Sequence, residues 1–159
     1  MSTILISGLV MGLGATIAMD IWALALNRIL GIGLPNWGNV GRWVAHLRHG
    51  TVFHDNISDA APVPRETTIG WIFHYVVGLI YGVILALIMG SAWLAAPTFF
   101  PAWIFAIITV AGGWCLLHPG MGLGWFLSKT PTPWKNRGMG LLAHTAFGLG
   151  LWGTALVLA

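Results

Sequence analysis

The chain has 159 residues, of which 57% are hydrophobic and 7% charged, with a mean hydropathy of +0.84. Soluble domains carry about 25% charged residues, so this composition excludes a soluble enzyme, a nucleic-acid-binding domain, and disordered or fibrous classes. A net charge of +3 is spread over only seven Lys and Arg, too few for a basic patch that would hold nucleic acid. One cysteine excludes an intramolecular disulfide. The excess lies in glycine (22) and tryptophan (10), as expected of helices packed closely in lipid with aromatic anchors at the interfaces.

A bilayer core about 30 Å thick needs roughly 20 apolar residues per helix. The first such stretch runs over 4–27 and is interrupted only by Asp20, and the second runs over 69–93. No Lys, Arg, Asp or Glu occurs between Glu66 and Lys129, but Pro97 and Pro101 break the apolar run. The third span is then expected over 102–127 and the fourth over 138–158. These spans predict an all-α membrane protein: a single domain, 1–159, built as a bundle of four transmembrane helices.

Arg28, Arg42, Arg48 and Arg65 fall at or within the first connection, and Lys129, Lys135 and Arg137 within the third. The second connection and both termini carry none. This asymmetry places the 31–68 and 128–138 loops in the cytoplasm and both termini outside. The N-terminal stretch lacks a basic region and is too long to read as a cleavable signal. Within the first loop, Asn36 is a fitting N-cap and Gly50 a C-cap. Trp37, Val40, Val44 and Leu47 recur between them at helical spacing, while Arg42, His46 and His49 fall on another face. The pattern predicts a short amphipathic helix on the inner leaflet, with a reentrant or irregular loop as the alternative.

Gly8, Gly12, Thr16 and Asp20 recur every four residues in the first span. So do Gly70, His74, Gly78, Gly82, Ala86 and Gly90 in the second, and Gly140, His144, Gly148 and Trp152 in the fourth. Residues four apart share a helix face, so these stripes predict close helix packing, with a channel lining as the alternative. The second and fourth spans share Gly-x3-His-x3-Gly-Leu, which suggests two helical hairpins, 1–93 and 102–159.

At about 1.5 Å per residue, His74 and His144 lie roughly 8 Å beyond their cytoplasmic helix starts. Asp20 and His118 lie roughly 15 Å from theirs, in the same half of the bilayer. Ionisable side chains at such depths face the bundle interior and pair, which predicts Asp20 with His118 and His74 with His144. Each also has a structural reading: a carboxyl bonded to a helix carbonyl, neutral interhelical histidines, and His118 serving a carbonyl freed by Pro119. Imidazole with thiolate or carboxylate ligates transition metals. The metal-ligating candidates are therefore His74, His118, His144, Cys115, His46, His49, His54 and Glu66. Facing histidines flanked by glycine also suit a haem between helices.

Asp20-Ile-Trp22, Gly41-Arg42-Trp43 with His46, His54, Gly70-Trp71 with His74-Tyr75, Pro119-Gly120, Ser128-Lys129-Thr130-Pro131 with Pro133, and His144 with Phe147-Gly148-Leu149-Gly150 form a set. It resembles a family of small bacterial inner-membrane proteins known only as a domain of unknown function. The resemblance covers nearly the whole chain and implies four spans in a bacterial inner membrane, without an activity. It also implies that the slot of His118 is more often glutamine, which counts against an obligatory metal ligand there. Glu66 after Arg65 departs from a glycine in the family pattern, so the local turn is expected to differ.

Three functions fit these residues. The leading one is ion, proton or small-solute transport, with Asp20, His74, His118 and His144 as a polar relay and Arg42 and Lys129 around its cytoplasmic mouth. The second is a membrane metalloprotein or haem protein, possessing redox or enzymatic activity. The third is an accessory subunit whose glycine grooves bind another membrane protein. Four short spans enclose little volume, so assembly as a homo-oligomer or with a membrane partner is expected. No catalytic signature names a reaction.

Overall fold

A computed structural model describes residues 1–159, and all its regular structure is helical. Four helices are long and apolar enough to cross a membrane: α1 (Ser2–Leu30), α3 (Glu66–Ala95), α4 (Phe99–Gly120) and α5 (Pro133–Leu158). The short α2 (Trp37–Leu47) lies in the first connection. The chain packs as two compact units. One comprises Met1–Leu34, Tyr75–Thr109 and Leu141–Ala159; the other comprises Pro35–His74 and Val110–Gly140.

In the first unit, glycine sets the helix contacts. Gly12 of α1 is so close to Gly78 and Leu79 of α3 that a Cβ would overlap the α3 backbone, and Gly82 meets Gly8 and Gly12 in the same way. On its other side α1 meets α5, where Gly14 faces Thr154 and Gly150 faces Ala15 and Ala18. Gly148 of α5 faces Trp103 and Ala106 of α4. Of the stripes read from the sequence, Gly8, Gly12, Gly78, Gly82 and Gly148 are therefore packing positions that the chain's own helices fill. Their core is Met11, Ala15, Leu85, Trp93, Ala102, Ala106, Phe147, Leu151 and Ala155, all nearly inaccessible. Apolar side chains such as Ile21, Ile88, Ile108 and Leu142 remain exposed, as a surface facing acyl chains requires.

The second unit forms around α2. Asn36 caps the helix by accepting from the Asn39 amide at 3.1 Å, as its position predicts. Helical geometry ends at Leu47, and Gly50 closes the following turn with φ +75°. Part of the apolar face of α2 is covered by the chain itself, while Leu47 stays exposed. Val40 and Trp43 are buried with Ile57 and Met121, and Phe73, Leu117 and Leu123 pack against them. Gly41 lies against the backbone of Glu66 and Gly70 at the start of α3. The segment after α2 is pinned by backbone bonds from His54 to the Gly120 carbonyl (2.9 Å) and from Ile57 to that of Met121 (3.1 Å). Arg65 precedes α3 in the left-handed region, at φ +60°.

The third span differs from its predicted limits of 102–127. It begins at Phe99, because Pro101 falls in the first turn, where a missing N–H costs nothing. It ends at Gly120 after one wide turn over Gly113–Leu117 with i to i+5 bonding. Gly122 and Gly124 then take positive φ and turn the chain before a short 3₁₀ turn at Trp125–Leu127.

Candidate functional site

Asp20, His74 and His144, singled out within the spans, each have a specific neighbour in their own unit. In the first unit, the Tyr75 hydroxyl of α3 donates to Oδ2 of Asp20 on α1 at 2.9 Å. Asp20 stands within a 29-residue apolar helix, where a carboxyl is costly and needs such a donor. The sequence gives Tyr75 no visible role, since 55 residues separate it from Asp20.

In the same unit, His144 of α5 reaches α4. Its Nδ1 is 2.9 Å from the Ala106 carbonyl and 3.1 Å from Oγ1 of Thr109. Thr109 itself donates to the Ala106 carbonyl at 2.7 Å. A carbonyl only accepts, so Nδ1 of His144 carries a hydrogen. The space expected beside the glycines four residues from His74 and His144 is occupied by protein. Gly78 faces Thr16 and Gly148 faces Trp103 in the first unit, while Gly70 faces Trp37 and Gly140 faces Trp114 in the second.

The second unit holds the polar residues of the first connection. Arg42 grips Glu66 through Nε to Oε2 (2.9 Å) and a terminal nitrogen to Oε1 (2.8 Å). Its other terminal nitrogen reaches the carbonyls of Ile57, Ser58 and Ala60, each at 3.1 Å. Hydrogen bonding to Glu66, opposed by burial and aided by the carboxylate charge, raises the arginine's pKa further. All of its nitrogens are thus engaged, which makes Arg42 a clasp on the connection. Glu66 also accepts the Val63 amide at 3.2 Å.

His46 and His54 meet ring to ring, with Nδ1 of His46 2.9 Å from Nε2 of His54. Nε2 of His46 is 3.0 Å from the Ala61 carbonyl, and Nδ1 of His54 is 2.9 Å from that of Gly120. His49 lies apart from this pair and accepts from Nε of Arg48 at 2.9 Å. His74 stacks on Trp37 with ring centroids 4.2 Å apart, and Trp71 stands edge-on at 5.9 Å. Cys115 is a free, partly buried thiol on the wide turn, which also carries Trp114, whose indole nitrogen is buried without a hydrogen-bond partner. Lys129 is exposed in the third connection, where its amide bonds to the Leu123 carbonyl at 3.0 Å. No three histidine, cysteine, aspartate or glutamate side chains gather as a metal ion would require.

Comparison with known proteins adds a family and no activity. The model of a family described as "Protein of unknown function (DUF2938)" matches residues 9–158. No curated protein and no solved structure matches the chain.

Proposed function

We propose that this chain, which belongs to the DUF2938 family of unknown function, moves protons, alone or coupled to an ion or small solute, across a bacterial inner membrane. The observation that carries this reading is the hydrogen bond between Tyr75 and Asp20 inside the membrane spans. A carboxyl at that depth is a default mark of an ion or proton path. The tyrosine hydroxyl ties that carboxyl on α1 to α3 and gives it a polar partner within the apolar spans. The distribution of Lys and Arg supports a cytoplasmic position for the 31–68 and 128–138 connections and external termini. The same orientation puts Arg42 and Lys129 on the cytoplasmic side.

The test is purified protein in liposomes carrying a trapped pH-sensitive dye. An imposed pH gradient or membrane potential is expected to drive proton flux well above that of empty vesicles, and Asp20→Asn is expected to reduce it at least tenfold. Equal flux from native protein, Asp20→Asn protein and empty vesicles overturns the proposal.

A further inference from the structure

The hydrogen-bond count at His46 and His54 does not close with two neutral rings. The carbonyls of Ala61 and Gly120 can only accept, so Nε2 of His46 and Nδ1 of His54 each carry a hydrogen. In neutral imidazoles the remaining nitrogens, Nδ1 of His46 and Nε2 of His54, would both present lone pairs. They stand 2.9 Å apart, a hydrogen-bonding distance. Two lone pairs repel at that separation, so a cation belongs between them. A transition metal could answer the same lone pairs, but protein metal sites draw on three or four ligands. No third histidine, cysteine, aspartate or glutamate completes such a group. A proton needs only the two nitrogens.

We propose that His46 and His54 form a proton-binding clasp, in which one imidazolium is shared by the pair through an N–H···N bond. The clasp then holds three ring hydrogens and one positive charge. Glu66, fixed by Arg42, attracts His46 electrostatically. Asp55 follows His54 in an exposed position, and Arg48 with His49 ends the α2 turn.

Each bond of the clasp joins a different part of the unit. His46 ties α2 to Ala61, the shared proton ties α2 to His54, and His54 ties the connection to Gly120 through both its ring and its amide. Losing the shared proton puts two lone pairs in contact. Gaining a fourth puts two N–H groups and two positive charges in contact. Either change parts the rings and leaves the segment after α2 tied to the helix through Asn39, Arg42 and Trp43 instead. The clasp is therefore closed only within a window of pH, whether or not the transport reading holds.

The experiment is nitrogen NMR of the native protein, labelled at histidine and held in lipid nanodiscs, across a pH series. Four, three and two ring hydrogens are expected in turn on raising the pH, in two separate steps that both rings report. A deshielded N–H···N resonance is expected only between the steps, and His46→Asn or His54→Asn is expected to abolish it. Two independent single-step titrations with no such resonance at any pH overturn the proposal. So does stoichiometric metal in the purified protein, removed by a chelator with a change in both ring spectra.

Discussion

Arg42 and Glu66 face each other in parallel, with two hydrogen bonds of 2.9 and 2.8 Å between guanidinium and carboxylate. Both side chains are mostly covered, at 12% and 23% exposure, so the pair is better shielded than a surface ion pair. The three carbonyls on the remaining nitrogen add the connection between α2 and α3 to the same residue. Arg42→Lys keeps the charge but has no planar fork to span both oxygens. It is expected to cost about 1.5–3 kcal/mol, seen as a lower Tm in detergent. Glu66→Gln is expected to cost a similar amount, and the double variant less than the sum.

The glycines divide into two groups with opposite predicted effects. At Gly12 and Gly82 a methyl group would enter the backbone of the neighbouring helix. Alanine at either position is expected to destabilise the first unit by about 1–3 kcal/mol through overpacking. Gly138 and Gly153, also helical, have nothing within 4 Å of an added Cβ. Alanine there is expected to be neutral or to stabilise by about 0.5–1 kcal/mol, because it restricts the unfolded chain. Thermal unfolding in one detergent, measured for all four variants, checks the contrast.

These contrasts also show what hydropathy and spacing make legible. Four spans follow from apolar length alone, and the glycine stripes follow from a step of four. Asn36 marks the start of α2 because capping is local chemistry. The end of the third span was hidden for the same reason. No charge marks it, and Pro119 follows the wide turn over Gly113–Leu117 in a last helical turn that ends at Gly120. Spacing suggested His46 with His49 as neighbours on one helix. The helix ends at Leu47, so His49 leaves that face, and the chain returns to bring His54 to His46 instead. Tyr75 with Asp20 and Thr109 with His144 are tertiary meetings, for which a single sequence carries no periodic signal.

The bond from Tyr75 to Asp20 predicts coupled defects. Tyr75→Phe keeps the ring and removes the donor, while Asp20→Asn keeps the shape and removes the charge. Under the proton-transfer reading, each is expected to reduce proton flux in liposomes, and the double variant is expected to be no worse than the worse single one. Near-multiplicative losses would show that the two residues act separately. Stability should change by only about 1 kcal/mol in Tyr75→Phe, the net value of one hydrogen bond. A flux defect with nearly unchanged Tm thus separates the path from the packing.

His144 is held by geometry in one tautomer, with its hydrogen on Nδ1 and directed at Ala106. Thr109 donates to the same carbonyl, so its oxygen is left to accept and the three groups form a closed set. Thr109→Val replaces the hydroxyl with a methyl of similar size and leaves the histidine its carbonyl. The histidine is therefore expected to keep its Nδ1 hydrogen, and the variant to lose about 0.5–1.5 kcal/mol. His144→Leu leaves the Ala106 carbonyl its bond from Thr109, so the loss is expected to be modest there too. His144→Asn is too short to repeat the reach of the imidazole and buries an amide without that acceptor, so it is expected to be the worst of the three. Nitrogen NMR of the Thr109→Val protein reads the tautomer directly, and thermal unfolding ranks the variants. A hydrogen found on Nε2 would remove the basis for this order.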